Sequence, residues 1–249
     1  MKRIVHASDF HFSGPYFSEN LWKEFCAHVR HLNPDIFLIT GDITDEGYPH
    51  EYALAKQYLD SLEGEKLVLP GNHDARNVGY EVFEEIFGPR WNIWKSDGIC
   101  ILCGDSSEPD IDDGHIGREN YALMEKTLDC SDFTMFAIHH HLIPIPGTGR
   151  ERNIPVDAGD VLKIITSTRT NLVLSGHKHV GWSWKLESTV FLVAGTATTT
   201  RVKSKTQPSF FCIDIDSVAF DCRVQKVDLF TEDIMDPNGR KPFMKLTKV

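Results

Sequence analysis

Five short polar clusters punctuate the chain: Asp9-Phe10-His11, Gly41-Asp42, Gly71-Asn72-His73-Asp74, His139-His140-His141 and Gly176-His177-Lys178-His179. They combine imidazoles, carboxylates and a side-chain amide. Imidazole nitrogen with carboxylate and amide oxygen suits borderline divalent or trivalent metals: Fe, Mn, Zn, Ni or Co. No thiolate joins the set, which sets it apart from a structural cysteine-type zinc site. Seven candidate ligands exceed the need of one ion and suit two ions sharing a bridging carboxylate.

Each cluster alone has a plain explanation. Asp-x-His pairs are common on surfaces, Gly-Asp after a strand is usually a turn, and a run of three histidines can be fortuitous. Their placement removes that explanation, because every cluster directly follows a predicted strand. Strands are expected at 3–8, 35–40, 66–70, 133–138 and 171–175, with a further one at 99–103. In open α/β sheets, ligands bind outside the carboxyl ends of the strands.

The intervening segments read as helices. Residues 18–32 carry Leu21, Phe25, Val29 and Leu32 at helical spacing. Helices are also expected at 50–62, 80–88, 118–128 and 158–168, the last N-capped by Asp157. From residue 180 the helical pattern gives way to β-rich segments, GWSWKLE, TVFLVAG, SFFCIDI and AFDCRVQKVDL. This order predicts an α/β fold with two packed mixed sheets flanked by helices, a four-layer α/β/β/α sandwich. One domain over 1–230 is expected. Residues 231–249, with turn chemistry at DPNGRKPF, are expected to form a C-terminal tail.

Composition narrows the class. The chain has 249 residues, 41% hydrophobic and 25% charged, with a net charge of −10. That describes a soluble globular chain large enough for a sizeable core. An acidic balance disfavours non-specific nucleic-acid binding, which needs clustered Lys and Arg. No apolar run approaches the roughly 18 residues that span a bilayer, so no membrane partner is expected. The start, MKRIVHASDFHF, meets Asp and His too soon for a secretory signal. The six cysteines sit mostly in apolar stretches. A cytoplasmic location follows, with the cysteines as buried hydrophobes. Cys100 and Cys103 form a CxxC with no second pair, a poor metal or redox signal. Oligomeric state is not legible, although exposed sheet edges leave room for a homodimer.

In their order, DFH, GDITDEG, GNHDAR, HHH and GHKH resemble the calcineurin-like metallophosphoesterase superfamily. The forms of GDITDEG and GNHDAR, with AGTATTTR at 194–201, are most similar to its cyclic-nucleotide-phosphodiesterase-like branch. The resemblance implies that Asp9, His11 and His179 hold one metal, that Asn72, His139 and His177 hold the other, and that Asp42 bridges them. Mn, Fe or Zn are the expected ions. It implies that His73 faces the substrate with Asp74 orienting its ring, and that a metal-bridging hydroxide attacks the phosphorus. HHHLIP departs from the family pattern, in which proline often follows the first His closely. His139, first after the strand, is taken as the ligand, with His140 and His141 in supporting roles. Asp45 and Asp74 are candidates for fixing imidazole tautomers, Asp45 equally for a turn.

Substrate determinants are less legible. The Gly-rich stretch 145–160 carries Arg150, Arg152 and Asn153, and Arg76 follows Asp74 closely. Guanidinium forks suit phosphate. The same arginines could equally pair with Glu151 or Asp157 on a solvated loop. The acidic stretch 105–115 would repel polyanions if it lined the site, and is equally expected as a remote surface loop. The leading expectation is a dinuclear-metal phosphoesterase, a phosphodiesterase or phosphatase acting on a small nucleotide-like or organic phosphate. A nuclease is the alternative, and a non-catalytic protein-binding scaffold the third reading.

Overall fold

The apolar runs IFLIT, ICILC, FTMFA and TVFLV become strands buried on both faces. The computed structural model describes residues 1–149, 153–203, 206–229 and 244–246. In chain order the strands are β1 (Lys2–Ala7), β2 (Ile36–Thr40), β3 (Glu65–Leu69), β4 (Asn92–Ser96), β5 (Ile99–Cys103) and β6 (Phe133–Ala137). They continue as β7 (Thr170–Ser175), β8 (Trp182–Leu186), β9 (Thr189–Val193), β10 (Ser209–Asp216), β11 (Asp221–Asp228) and β12 (Met244–Leu246). The helices are α1 (Glu19–Leu32), α2 (Pro49–Asp60), α3 (Gly79–Phe87), α4 (Tyr121–Leu128) and α5 (Ala158–Ser167).

Two six-stranded sheets form, ordered β12-β11-β10-β1-β2-β3 and β4-β5-β6-β7-β9-β8. In the first, β1, β2 and β3 run parallel, and β10 and β11 return antiparallel. In the second, β5, β6, β7 and β9 run parallel, with β4 and β8 antiparallel at the edges. The two-residue period sorts side chains between layers. On β2, Ile36 and Leu38 join the apolar layer between the sheets, where they meet Ile101, Met135 and Leu172. Phe37 and Ile39 face the opposite way, onto Phe25 of α1 and Tyr52 of α2. On the far side, Leu102, Phe136 and Val173 pack against Met124 of α4 and Val161 of α5. The expected four-layer sandwich of two mixed sheets is what the sequence forms.

Local departures have local causes. Strand β4 was not anticipated; it is a short, largely exposed edge strand whose apolar signal is two residues, Ile93 and Trp94. Residues 118–120 form a 3₁₀ turn ahead of α4 rather than its first turn. Asp157 does not cap α5 with its side chain. Its carboxylate instead accepts the backbone N–H of Ile116 and Gly117 and the Tyr121 hydroxyl. Cys100 and Cys103, three apart on β5, belong to opposite faces of the sheet, and both thiols are unpaired. Within the stretch expected to be a tail, Met244–Leu246 pairs with β11; residues 230–243 and 247–249 lie outside the described residues.

Candidate active site

The carboxyl ends of β1, β2, β3, β6 and β7 deliver the five clusters to one place. Backbone contacts bind these ends together. Asp9 N donates to Gly41 O at 3.0 Å, and Gly176 N to His139 O at 2.9 Å. His177 N–H is shared between the two carboxylate oxygens of Asp9, at 3.1 and 3.0 Å. The 194–201 segment closes the arrangement from the side: Thr196 and Thr198 hydroxyls donate to the carbonyls of Asp9 and Phe10. Such close approach leaves no room at Gly71, where a Cβ would lie 2.5 Å from Asp42 N. Five candidate ligands, Asp9, His11, Asp42, His177 and His179, hold positive φ between 45° and 75°. Non-glycine residues are uncommon there, and such strain gathers at functional sites.

The donor atoms form two groups that meet at Asp42. In one, His179 Nε2 lies 3.3 Å from Asp9 Oδ1 and 3.2 Å from His11 Nε2. In the other, Asn72 Oδ1 lies 3.2 Å from His139 Nε2 and 3.0 Å from His177 Nδ1. Asp42 Oδ2 stands 3.6 Å from His11 Nε2 and 3.4 Å from His139 Nε2, between the two groups. Within each of the sets Asp9–His11–His179, His11–Asp42–His73 and Asp42–His139–His177, the donor atoms lie within 4.8 Å of one another.

Hydrogen bonds made by the far ring nitrogens fix the tautomers. His139 Nδ1 donates to Thr40 O at 2.7 Å, and His179 Nδ1 to Arg201 O at 2.7 Å. A carbonyl only accepts, so each ring in its neutral form presents an Nε2 lone pair to the site. Buried lone pairs of imidazole, carboxylate and amide facing one another at about 3 Å repel unless a cation lies among them. The donor set therefore fits metal ions. The same logic separates the three consecutive histidines. His140 donates from Nε2 to Asp112 O at 3.1 Å and accepts the Ser106 hydroxyl at Nδ1, 2.9 Å away. Both its nitrogens are committed outside the donor cluster. His141 stacks on His177 with ring centroids 5.8 Å apart.

Electrostatics favour positive charge here. Burial opposes ionisation of Asp42, yet the imidazoles of His139, His73 and His11 hold its carboxyl well below the ordinary range. Burial likewise acts against protonated His139, but the Asp42 and Asp9 carboxylates prevail and raise it to about 9. Burial and neighbouring imidazoles keep His177 well below its usual value, so it is a neutral donor.

His73 stands at the edge of the group, its ring 4.6 Å from that of His11. Asp74 does not orient it, contrary to expectation. The Asp74 carboxylate is buried and accepts Thr44 Oγ1 and N, Gly71 N and Ile43 N at 2.7–3.2 Å. It ties the loop after β2 to the loop after β3 and so spaces Asp42 from Asn72. The ring of His73 is oriented by Asp45, whose carbonyl accepts Nδ1–H at 2.6 Å. The Asp45 carboxylate lies 3.2 Å from His11 Nδ1, off the line of a good hydrogen bond.

Around these groups opens a cleft of about 330 Å³. Arg76 and Asn153 line it. Arg76 is already engaged, 3.0 Å from each of Glu46 Oε1 and Asp112 Oδ1. Arg150 and Arg152 lie outside the described residues. Lining residues not singled out from the sequence include Tyr16, Asp112, Lys178, Arg201 and Lys203. The Arg201 guanidinium sits 5.6 Å from the Tyr16 ring centroid. Arg201 closes AGTATTTR and Lys178 lies inside GHKH, so both had a signal in their motifs. Asp112 had none within its acidic run, which borders the site rather than lying remote from it.

Residues 2–181 match the model of the calcineurin-like phosphoesterases. The chain belongs to this family. It is a metallophosphoesterase, and the family uses a dinuclear metal centre. A probable cyclic nucleotide phosphodiesterase of Vesicomyosocius okutanii is 22% identical over 191 residues, which cover 73% of this chain and 80% of the relative. A probable glycerophosphodiester phosphodiesterase of Arcobacter nitrofigilis is 37% identical over 159 residues, 57% of this chain and 58% of the relative. A dimetal phosphatase of Danio rerio has the same fold: TM-score 0.71 and 11% identity, over 99% of this chain and 98% of the other.

Proposed function

We propose that this phosphoesterase hydrolyses small organic phosphate esters, phosphodiesters foremost, with two metal ions. One ion would be held by Asp9, His11 and His179, the other by Asn72, His139 and His177, with Asp42 shared. The observation that carries the reading is Asp42 Oδ2 standing 3.4 and 3.6 Å from an imidazole nitrogen of each group. A nitrogen-rich set with carboxylates suits Mn, Fe or Zn. Bound there, two such ions supply Lewis-acid polarisation of phosphoryl oxygens and acidify water.

The chain's own residues supply the rest. With Nδ1–H given to Asp45 O, His73 keeps Nε2 for the substrate, and in its protonated form donates from it to the departing oxygen. General acid help of this kind is worth about 10²–10⁴-fold. Lys178, Arg201 and Lys203 give one part of the cleft a positive lining that attracts a phosphate ester. Likeness to a probable cyclic nucleotide phosphodiesterase and a probable glycerophosphodiester phosphodiesterase favours small diesters. Retention of all seven donors and His73 argues against a scaffold, and the net charge of −10 argues against a nuclease. The six cysteines form no disulfide, which fits a reducing compartment such as the cytoplasm.

The test is an assay of the metal-loaded protein on bis-p-nitrophenyl phosphate, p-nitrophenyl phosphate, a cyclic nucleotide, a glycerophosphodiester and single-stranded DNA. Small diesters should give the highest kcat/KM. Faster turnover of DNA would install the nuclease reading. A protein that binds no metal and turns over none of the panel would be a scaffold.

A further inference from the structure

Asn72, a ligand in the two-metal reading, has an ambiguity that no carboxylate shares. Its amide has an oxygen that can bind a cation and an NH₂ that cannot, and a half-turn exchanges them. Nothing in the sequence around it says what holds the oxygen inward. Asn72 is almost wholly buried. Its Oδ1 lies among His139 Nε2 and His177 Nδ1, and its Nδ2 donates to Asp112 Oδ1 at 3.0 Å. A carboxylate oxygen only accepts. The turned amide would set its oxygen against that carboxylate and its NH₂ against the cation. Both changes are repulsive, so the contact selects one orientation.

Asp112 lies in the acidic 105–115 stretch, between β5, which delivers no donor, and β6, which leads to His139. Its side chain is 58% exposed, so its position depends on how the backbone beneath it is held. His140 supplies that hold: Nε2–H donates to Asp112 O at 3.1 Å, and the Ser106 hydroxyl fixes the other ring nitrogen. Gly114 presses on the same ring, where a Cβ would come within 2.7 Å of His140 Cγ. His115 N donates to Ser106 O at 3.0 Å, closing the segment on itself. A chain of contacts therefore runs from His140 through the backbone of Asp112 to its carboxylate and on to Asn72. Arg76 Nη2 meets the same Oδ1 at 3.0 Å.

We propose that Asp112 is a positioning residue for the Asn72 metal site, holding the amide oxygen toward the ion, and that the acidic segment is retained against His140 to place it. This rests on the two-metal reading above. Partners that orient a ligand typically change metal affinity by about 10–100-fold when removed.

The experiment is Mn²⁺ titration by calorimetry of the metal-stripped full chain, comparing the native protein with Asp112→Ala and Asp112→Asn. In Asp112→Ala one of two equivalents should weaken by about 10-fold or more, while the other keeps its affinity. Asp112→Asn keeps an oxygen that accepts from Asn72 Nδ2 but loses the charge beside Arg76; it should restore most of the lost affinity. Two equivalents of native affinity in Asp112→Ala would overturn the proposal. Equal weakening in both variants would overturn it too, since charge and not orientation would then be the cause. A native protein that binds no Mn²⁺, Fe²⁺ or Zn²⁺ would instead defeat the two-metal reading. The Asp112 side chain is exposed, so both variants should keep the fold, and circular dichroism of each checks it.

Discussion

At the scale of single residues, what a side chain does is set by which of its atoms are already spent. His139 and His140 are identical in type and adjacent in sequence. His139 spends Nδ1 on Thr40 O and keeps Nε2 for the donor group, whereas His140 spends both nitrogens. Asp42→Asn should therefore lose metal from both groups with nearly all activity, because a neutral amide cannot bridge two cations comparably; metal analysis against turnover decides it. His73→Ala should keep two metals yet lower kcat by about 10²–10⁴-fold on an alkyl ester. The loss should shrink with p-nitrophenolate, which leaves with little protonation. Metal loss in that variant would make His73 a ligand instead. A pH effect resides at Asp105, which burial pushes up to about 6 although the Ser107 N–H and hydroxyl support its charge. A raised folded value favours the protonated form, so this stability is complete below about pH 4 and lost as pH rises through about 6. Asp105→Asn should flatten that part of the stability profile, by roughly 3 kcal/mol at most. Urea unfolding at a series of pH values measures it.

At the scale of elements, parallel strands matter because they end side by side. β1, β2 and β3 lead within three residues to Asp9, Asp42 and Asn72, and β6 and β7 to His139 and His177. Glycines let those ends touch. A Cβ on Gly176 would run into Ser8 Oγ and lie 2.6 Å from Asp9 Oδ2. Gly176→Ala should cost about 1–3 kcal/mol by overpacking and displace Asp9 and His177 together. Gly159, in α5, has nothing within 4 Å of its added Cβ. Gly159→Ala should be stabilising by about 0.4–1 kcal/mol through the unfolded chain. Thermal melts and metal content of the two variants, measured side by side, separate a crowded strand end from an open helix face.

At the scale of the whole molecule, the two sheets share an apolar layer but join at their polar end through the donor cluster. Ions bound there link loops from both sheets, so they should stabilise the fold as well as the reaction. For a metal at 100 times its Kd the gain is about 2.7 kcal/mol per ion, and it vanishes on chelation. Stripping metal should thus lower Tm along with activity, and added Mn²⁺ should restore both. A Tm indifferent to chelator would mean that the cluster is preformed without help from cations.

The sequence by itself determined the four-layer architecture and carried the candidate metal ligands. Residue types fix donor chemistry, and two-residue and 3.6-residue periods are local properties that a linear text carries. Tertiary structure alone decided which atom of each residue faces where. Asp74, adjacent to His73, turns away to four donors on two loops, while Asp45, 28 residues distant, orients the ring through a backbone carbonyl. Asp112 reaches Asn72 across 40 residues from an acidic run whose other members show no distinguishing pattern. Hydrogen bonds depend on positions in space, and contacts made by backbone carbonyls or by long-range approach leave no mark on residue type or spacing.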